Sequence, residues 1–324
     1  MRLSSKSVLV TGAAGFIGSH LVERCLRLGW RVTGIDAFTD YYAEDRKRLN
    51  ACAAATDPKY RLIEGDLRDL DLSRLLQDVG VVFHLAAQPG VRKSWDDFAL
   101  YARHNVDATQ RLLHATRGVP LERVVIASSS SIYGESEGLP TSEDAPPRPV
   151  SPYGVTKVST EQLARVYWRS FGVPTVCLRY FTVYGPRQRP DMAVSRLISS
   201  VLAGETFEIF GDGEQTRDFT FVSDAVNGTI AAAQSGKPGS AYNIGGGSRI
   251  SLNKVLDILD DLAGTPVKRS YVAERLGDAR DTAADIRRAR SELGFDPVFD
   301  FETGLRAQFD WQRLSSESPS PAFQ

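Results

Sequence analysis

The sequence predicts an α/β protein with a doubly wound parallel sheet and a smaller C-terminal lobe. Over the first half of the chain, six apolar, strand-like runs alternate with segments of helical periodicity, which is typical of a parallel sheet covered by helices on both faces. After about Gly185 the pattern changes to short strands, glycine turns and isolated amphipathic helices. We expect a main domain formed mainly by residues 1–185, a lobe formed mainly by residues 186–314, and a polar, Ser- and Pro-rich disordered tail at residues 315–324.

The predicted strands are short and rich in β-branched or apolar residues, as buried parallel strands should be. They are Ser7–Val10, Arg31–Ile35, Tyr60–Ile63, Val81–Leu85, Arg123–Ala127 and Thr175–Leu178. Residues 134–152 are rich in Pro, Ser and Glu and have no periodicity, so they predict a long surface loop that could border an active site. In the C-terminal lobe, apolar periodicity predicts an amphipathic helix over Leu252–Leu262.

A glycine turn joins the first strand to the first helix, over residues 11–18. Gly12 permits the tight turn, Gly15 lets backbone N–H groups approach a pyrophosphate, and Gly18 allows close packing of helix on strand. Asp36 ends the second strand, where an acidic side chain accepts hydrogen bonds from an adenosine ribose, and neither of the next two residues is an arginine. The sequence therefore favours bound NAD over NADP; an ordinary strand–turn–helix unit with a capping aspartate is the alternative.

The composition indicates an ordinary globular protein with a sizeable core. Of the 324 residues 42% are hydrophobic, and the formal net charge is −1 with acidic and basic residues interspersed. Nucleic acids and anionic membranes are recognised through basic patches, so we expect neither as a partner. No apolar run approaches the ~20 residues of a membrane span, and the first apolar segment runs into the glycine turn, which leaves no room for a signal peptide.

The cysteines and histidines lack the spacing of a disulfide framework or a metal site. The cysteines are odd in number, far apart and without a CxxC pair, which favours a reducing cytoplasm; they are Cys25, Cys52 and Cys177. We interpret the histidines as structural or surface residues and expect no bound metal; they are His20, His84, His104 and His114.

A tyrosine and a lysine are placed one helical turn apart after the long loop. Ser151 can cap a helix with Pro152 at its first position, and Tyr153 and Lys157 then share one face. The ammonium can lie near the phenol and favour phenolate, so Tyr153 is a candidate general base. Lowering its pKa from about 10 to near 7 needs roughly 4 kcal/mol. An exposed surface pair is the alternative.

Four consecutive serines, residues 128–131, follow the predicted strand Arg123–Ala127. Ligands of open α/β sheets bind at such carboxyl ends of strands. A hydroxyl there can donate to a substrate oxygen that becomes a carbonyl and can help to orient the proton transfer to Tyr153. A serine-rich turn is the alternative. A nucleophilic serine is not expected, because the GxSxG elbow is absent.

These features together resemble the extended short-chain dehydrogenase/reductases of the nucleotide-sugar epimerase and dehydratase group. The resemblance covers nearly the whole chain and includes residues 65–69, 84–88, 211–219 and 275–278. It implies a Rossmann-type fold, bound NAD, a nucleotide-sugar substrate and the catalytic residues Ser129, Tyr153 and Lys157. The NAD-binding residues that it implies are Gly12, Gly15, Phe16, Ile17, Gly18, Asp36, Asp66, Leu67, Leu85, Ala86, Ala87, Gln88, Asn105, Tyr153, Lys157 and Tyr180.

Two positions after Ser129 separate the subfamilies of this group. They hold Ser130 and Ser131 here, whereas both are acidic in the 4,6-dehydratases and the second is glutamate in the UDP-glucuronate decarboxylases. Without a carboxylate acid/base pair, dehydration has no obvious agents. Residues 179–193 are similar to the corresponding run of the UDP-glucuronate 4-epimerases, where Thr182 replaces the asparagine of UDP-glucose 4-epimerases.

The interpretation that follows is a 4-epimerase of UDP-glucuronate, which forms UDP-galacturonate through a 4-keto intermediate with tightly bound NAD. Three alternatives stay open: a 4-epimerase of neutral UDP-hexoses or UDP-pentoses, a UDP-glucuronate decarboxylase, and a catalytically silent NAD-binding sensor. The resemblance also implies a homodimer through a four-helix bundle, formed by segments near residues 97–116 and 159–170.

The predicted substrate site combines residues from both parts of the chain. The resemblance implies that Arg217 and Arg275 bind the pyrophosphate and that Asp278 binds the nucleotide ribose. We hypothesise that Ser130, Ser131 and Thr182 hydrogen-bond the substrate carboxylate and restrict its rotation. Arg189 is the expected charge partner of that carboxylate. The predicted substrate-binding residues are Ser129, Ser130, Ser131, Tyr153, Thr182, Arg189, Arg217, Arg275 and Asp278.

Overall fold

Parallel strands form the central layer of the computed structural model, which describes residues 6–136, 138–273 and 279–317. The strands are β1 Ser7–Thr11, β2 Arg31–Asp36, β3 Tyr60–Glu64, β4 Val81–His84, β5 Arg123–Ser129, β6 Thr175–Tyr180, β7 Thr182–Tyr184, β8 Phe207–Phe210, β9 Thr216–Phe221, β10 Ala241–Ile244, β11 Arg249–Ser251 and β12 Arg269–Val272. The main sheet has seven strands in the order β3-β2-β1-β4-β5-β6-β10, all paired in parallel. The predicted doubly wound sheet and its six strands are therefore confirmed.

The helices pack on both faces of this sheet and within the lobe. They are α1 Phe16–Arg27, α2 Glu44–Ala55, α3 Leu72–Leu75, α4 Phe98–Tyr101, α5 Ala108–Ala115, α6 Pro152–Phe171, α7 Ala193–Ala203, α8 Val222–Ser235, α9 Leu252–Ala263, α10 Arg287–Leu293 and α11 Phe301–Glu317. A π-helical segment, Ala102–Asp107, joins α4 to α5, and short 3-10 turns cover Arg92–Trp95 and Ser130–Ile132. The predicted amphipathic helix over Leu252–Leu262 is present as α9.

Strand order places a crevice where ligands bind in folds of this kind. The chain builds outward from β1 to β3 and then returns to the other side of β1 at β4. The loops that follow β1 and β4 therefore leave the sheet in opposite directions, and a cleft opens between them at the carboxyl ends of the strands. The strands beneath the cleft are fully buried; Val8, Val10 and Val82 have no exposed surface.

Helix α6 begins and ends as the sequence predicts. The hydroxyl of Ser151 accepts a hydrogen bond from the backbone N–H of Gly154 at 3.1 Å, and Pro152 occupies the first turn. At the other end Gly172 adopts a left-handed conformation with φ +70°, which glycine accommodates without strain. Because α6 begins at Pro152, Tyr153 lies in the first turn of the helix.

The division at residue 185 is a simplification, because the chain returns to the main sheet later. Strand β10 pairs in parallel with β6, and α8 packs against β5 and β6. The rest of the C-terminal part forms the lobe, with a three-stranded sheet β11-β9-β7 and a two-stranded sheet β12-β8. The pairing with β6 buries most of β10, so this strand belongs to the main sheet although its neighbours in the sequence belong to the lobe.

The predicted tail begins too early. Helix α11 continues to Glu317, so Ser315 and Ser316 are helical. Each hydroxyl donates to a backbone carbonyl within the last turns, Ser315 to Trp311 and Ser316 to Arg313, both at 2.7 Å. Such local hydrogen bonds satisfy serines at the end of a helix. Residues 318–324 lie outside the described residues.

Candidate active site

A cavity of about 1030 Å³ opens at the carboxyl ends of the central strands, between the main sheet and the lobe. Single-ligand cavities commonly span roughly 300–1,000 Å³, so this one can hold a dinucleotide together with a second ligand. All predicted NAD-binding residues except Asn105 line it. The predicted substrate-binding residues Arg275 and Asp278 lie outside the described residues, and the others line the cavity.

The glycine turn forms a cradle with no room for side chains. A Cβ on Gly12, whose φ is +70°, would lie 2.9 Å from the backbone nitrogen of Ala86. A Cβ on Gly18 would lie 1.9 Å from the carbonyl oxygen of Gly12. Helix α1 then begins at Phe16, and its cap residue Gly15 offers no side chain to the first-turn amides. Such amides bind phosphate oxygens, so the cradle fits the pyrophosphate of NAD.

Asp36 lies at the end of β2 and closes one end of the cradle. Its carboxylate accepts hydrogen bonds from the backbone N–H groups of Ala14 at 3.0 Å and Phe38 at 2.9 Å. Both carboxylate oxygens keep lone pairs for further donors, which fits the hydroxyls of an adenosine ribose. Two cavity residues here were not predicted, Tyr42 and Lys47. They follow Asp36 in the chain, but no motif marks them.

The loop after β4 forms the facing wall, and Asn105 holds it from behind. Asn105 accepts a hydrogen bond from the backbone N–H of Gln88 at 2.7 Å and donates to the carbonyl of Gln88 at 3.1 Å and to Thr156 at 3.0 Å. It is buried and does not line the cavity. Asn105 therefore positions a loop whose residues Leu85 to Gln88 line the cavity, and its contact with the cofactor stays a prediction.

Tyr153, Lys157 and Ser129 meet at the centre of the cavity. The Ser129 hydroxyl lies beside the Tyr153 side chain and lowers the pKa of its phenol, and both side chains line the cavity. The Lys157 ammonium lies 5.9 Å from the centroid of the Tyr153 ring and donates to the carbonyl of Ala127 at 2.8 Å. The edge of the Tyr153 ring also meets Tyr101, with centroids 6.3 Å apart. The structure thus brings together the three predicted catalytic residues.

Small hydroxyl side chains surround the space beside Tyr153. Ser129 donates to the Ser131 hydroxyl at 3.1 Å and accepts from the Ser131 backbone N–H at 3.1 Å. Ser130 and Thr182 complete this wall of the cavity. No residue of the described wall offers a carboxylate at the two positions after Ser129, so proton transfer in this region depends on Tyr153.

Arg189 lines the same part of the cavity and forms an ion pair with Asp191. Its guanidinium donates twice to Asp191, with Nε and one terminal nitrogen each 3.0 Å from a carboxylate oxygen. The Tyr41 hydroxyl donates to the same carboxylate at 3.1 Å. Arg189 was predicted as a charge partner of the substrate, and the structure modifies this view because Asp191 balances much of its charge. The contact between Tyr41 and Asp191 could not be predicted from the motif around Arg189, because Tyr41 belongs to the main domain and is 150 positions away from Asp191 in the sequence.

The nucleotide end of the cavity is built by the lobe. Arg217 lies on β9 and donates to the carbonyl of Thr216 at 3.0 Å and to the carbonyl of Arg280 at 2.8 Å. Aromatic and apolar residues that were not predicted surround it, among them Phe207, Phe210 and Ile250. Phe207 and Phe210 lie on β8 and Ile250 lies on β11, so only the tertiary structure brings the two strands together.

Comparison with known proteins agrees with this geometry. The family model described as NAD dependent epimerase/dehydratase family matches residues 8–245. The chain belongs to this family. A UDP-glucuronate 4-epimerase of Thermodesulfobacterium geofontis is 36% identical over 95% of this chain and 97% of its own. An uncharacterised UDP-glucose epimerase of Bacillus subtilis is 46% identical over 92% of this chain and 95% of its own.

A solved structure of a family member is also close. The UDP-glucuronic acid 4-epimerase of Bacillus cereus, in complex with UDP-glucuronic acid and NAD, superposes with a TM-score of 0.93. It is 43% identical, and the match covers 95% of this chain and 99% of that one. The agreement extends over both the main sheet and the lobe, so this chain is an NAD-dependent nucleotide-sugar epimerase.

The charges around Tyr153 differ from the sequence-based expectation for this epimerase. Burial raises the pKa of Tyr153, while the positive charge of Arg189 and the hydrogen bond from Ser129 lower it. Burial also lowers the pKa of Lys157 to about 8. The sequence argument named the Lys157 ammonium as a charge that favours the Tyr153 phenolate. In the protein chain by itself, Arg189 is the cation that lowers the pKa of Tyr153, and the Lys157 ammonium donates to the carbonyl of Ala127.

His84 is a buried structural residue of the epimerase. Both ring nitrogens of His84 are hydrogen-bonded, to Thr11 at 2.8 Å and Thr109 at 2.9 Å, and burial lowers its pKa to about 3. Among the described residues, no group of three or more His, Cys, Asp or Glu side chains could hold a metal ion. No helix in the described part of the chain is long and apolar enough to cross a membrane.

Proposed function

We propose that this epimerase acts at C4 of UDP-glucuronate and interconverts it with UDP-galacturonate. The observation that carries the proposal is that Tyr153, Lys157 and Ser129 meet in one cavity, beside a wall that is formed by Ser130, Ser131 and Thr182. The wall offers hydroxyl donors where a dehydratase would need carboxylates. The relatives that act on or bind UDP-glucuronate cover nearly the whole chain, which supports the same substrate.

Tyr153 is the base and acid of the reaction. Its phenolate accepts the proton of the C4 hydroxyl and returns it to the oxygen of the 4-keto intermediate. The glycine turn and Asp36 would hold NAD in the cavity, and the bound cofactor would supply reversible hydride transfer at C4 with no net change in its oxidation state. Ser129 donates to the substrate oxygen as it gains carbonyl character. Lys157 is fixed by the carbonyl of Ala127, so its charge stays within the site through both half-reactions.

The sugar must turn over between the two hydride transfers, because the hydride returns to the opposite face of C4. This requires that the substrate is held at the nucleotide end while its sugar end stays free to rotate. The aromatic and apolar surface around Arg217 can supply the anchoring. Short serine and threonine side chains at the other end leave space for rotation.

The 4-keto intermediate of a glucuronate is a β-keto acid, which loses CO2 when its carboxylate bond aligns with the carbonyl π system. An epimerase must prevent that alignment. We assign this task to Ser130, Ser131 and Thr182, whose hydroxyls can hydrogen-bond the carboxylate and restrict its rotation. Arg189 contributes positive charge nearby, and Asp191 fixes its guanidinium in place through two hydrogen bonds.

A neutral UDP-hexose is the second candidate substrate. It is favoured by the pairing of Arg189 with Asp191, which weakens the attraction for a substrate carboxylate, and by the Bacillus subtilis relative described as a UDP-glucose epimerase. The two candidates differ in one chemical group at C6. Turnover of each substrate under identical conditions therefore separates them.

The test is incubation of the purified protein with UDP-glucuronate and no added NAD. Products are separated by anion-exchange chromatography and identified by proton NMR. UDP-galacturonate is the expected product. UDP-pentose would assign the protein as a decarboxylase, and unchanged UDP-glucuronate with turnover of UDP-glucose would assign the neutral substrate. No turnover of either sugar would leave the role of an NAD-binding sensor.

We further propose that the protein is a homodimer through the helices α4 to α6. Apolar side chains on these elements are exposed, at 48% for Phe98, 53% for Val166 and 48% for Phe171. Val155 lies on the same helix as Val166 and is 45% exposed. Light scattering should give twice the 35.6 kDa chain mass. Val166→Asp should give the monomer mass; an unchanged mass would place the interface elsewhere.

We also propose that the protein works in the cytoplasm. Its cysteines are free, and Cys52 is exposed. A free exposed thiol is suited to a reducing compartment. Fractionation of cells that produce the protein, followed by immunoblotting, tests this location.

A further inference from the structure

One face of α6 reaches three consecutive residues at the end of β5. Tyr153, Lys157 and Glu161 are spaced by four residues and therefore share that face. Tyr153 lies beside Ser129, whose hydroxyl lowers the pKa of the phenol, and Lys157 donates to the carbonyl of Ala127 at 2.8 Å. Between these contacts, the Ser128 hydroxyl donates to the Glu161 carboxylate at 2.5 Å. Glu161 takes no part in the proton or hydride transfers, yet its carboxylate joins α6 to the end of β5 at a third point.

Glu161 is a buried carboxylate with a dedicated partner. Arg179 on β6 donates to one carboxylate oxygen at 3.0 Å and to the other at 2.8 Å. The side chains are 8% exposed for Arg179 and 10% for Glu161. The planar guanidinium and the planar carboxylate fix each other in both distance and angle.

The ion pair also reaches the far side of the serine cluster. Arg179 donates to the Tyr133 hydroxyl at 2.8 Å and to the carbonyl of Glu143 at 2.9 Å. Tyr133 follows the 3-10 turn Ser130–Ile132, and Ser128 precedes it. Glu161 and its partner therefore hold the segment that carries Ser129 at both of its ends.

Stability alone does not account for such a pair. The desolvation of two buried charges offsets most of their attraction, and apolar residues of similar volume often replace a buried pair with no loss of stability. What the pair provides is a defined geometry, and a displacement of about 1 Å in a catalytic group can cost roughly 100-fold in rate.

We propose that Glu161 is a positioning residue of the epimerase reaction. Its carboxylate, held by Arg179, locks α6 onto the end of β5 so that Tyr153 faces Ser129 and Lys157 stays within the site. The inference rests on the proposed function, because turnover is one of its two readouts.

The same carboxylate influences the charge of Lys157. The groups that face Lys157 are Glu161 and Tyr153 on its own helix, Cys177 on β6 and His84 on β4. Burial lowers the pKa of Lys157, and Glu161 raises it. Removing the negative charge at residue 161 therefore lowers the pKa of Lys157 further, and Lys157 loses its proton at a lower pH.

Two variants of the NAD-loaded enzyme test the proposal. Glu161→Gln keeps an acceptor for Ser128 but removes the charge. The double variant Glu161→Met with Arg179→Met replaces the pair with apolar side chains and keeps the core filled. Both should lose kcat by about 10- to 100-fold with KM close to that of the unmodified enzyme, and the alkaline limb of the kcat–pH profile should move to lower pH in Glu161→Gln.

The control is Glu292→Gln, which removes the charge of a carboxylate that pairs with Lys237 far from the site, at 2.8 Å. It should leave kcat and the pH profile unchanged. A double variant that melts at the normal temperature and keeps the normal kcat and pH profile would overturn the proposal, because the pair would then only support the fold. Wild-type kcat in Glu161→Gln would overturn it as well.

A second readout separates this inference from the choice of substrate. The pH titration of tyrosinate absorption, recorded for each protein against its own Tyr153→Phe derivative, reports the pKa of Tyr153 without any sugar. This pKa should be higher in Glu161→Gln than in the unmodified enzyme, because Tyr153 is then no longer held beside Ser129, whose hydroxyl lowers the pKa of the phenol. If UDP-glucuronate is not turned over but the tyrosinate titration shifts, the proposed substrate is wrong and the role of Glu161 stands. An unshifted titration overturns the role of Glu161.

Discussion

Replacing Gly18 with alanine should weaken NAD binding while the main sheet stays folded. A Cβ at this position would lie 1.9 Å from the carbonyl oxygen and 2.9 Å from the carbonyl carbon of Gly12. Both are backbone atoms of the turn, so neither can rotate away. The contact must open by about 1.1 Å to reach even 3.0 Å, which moves the start of α1 away from the turn. Overpacking of this kind costs about 1–3 kcal/mol. Because the turn can open when it is empty but must close again around the pyrophosphate, the same cost lowers the affinity for NAD by about 5- to 150-fold.

The assay is the amount of NAD released per chain when the purified protein is denatured, followed by titration of the emptied protein with NAD. Two glycines provide a graded series. A Cβ on Gly15 would lie 3.1 Å from the Gly12 carbonyl oxygen, and a Cβ on Gly138 would meet no atom within 4 Å. Gly15→Ala should therefore have an intermediate effect and Gly138→Ala none. Full NAD content in Gly18→Ala would refute the argument that the cradle depends on this close approach.

Three further variants test the site and the core. Tyr153→Phe should lower kcat by about 100- to 10,000-fold with normal NAD content, and a kcat within tenfold of normal would exclude Tyr153 as the base. Thr182→Ala, alone or with Ser131→Ala, should release UDP-pentose and CO2 from UDP-glucuronate; the absence of UDP-pentose in the product NMR would contradict the role of these hydroxyls. Burial lowers the pKa of His84 to about 3, below its unfolded value near 6.5. Its stabilising contribution is therefore complete above about pH 6.5 and is lost as the pH falls toward 3, by up to about 1.4 kcal/mol per unit. His84→Gln should flatten the dependence of the urea-unfolding free energy on pH, and equal slopes in both proteins would contradict this.

Much of the fold could be predicted because its signals are local. Each of the six predicted strands is an apolar run bounded by polar or glycine residues, and each is present in the main sheet. The start of α6 follows from Ser151 and Pro152, which act on the adjacent backbone. The pairing of β10 with β6 could not be predicted, because a short apolar strand does not specify its partner.

The site likewise has features that the local sequence predicts and features that depend on contacts between distant residues. The glycine cradle and the Tyr153–Lys157 pair are encoded by spacing within one strand–helix unit or one helix, so sequence reasoning finds them. The buried position of Asn105 behind the loop after β4 could not be predicted, because a motif position does not reveal which way a side chain faces. The pairing of Arg189 with Asp191 could have been noticed as a short-range pair, but the contact with Tyr41 joins residues 150 positions apart.

By itself, the sequence determined the family, the cofactor and the identity of the groups that carry out the chemistry, because these depend on residue types at fixed short spacings. Only the tertiary structure decided which charges act on Tyr153. Coulombic and desolvation effects depend on distance and burial, and both are set by the packing of α6 on β5 and by the approach of the lobe. For the same reason Glu161, an ordinary helix residue in the sequence, emerges in the structure as the residue that holds the catalytic face in place.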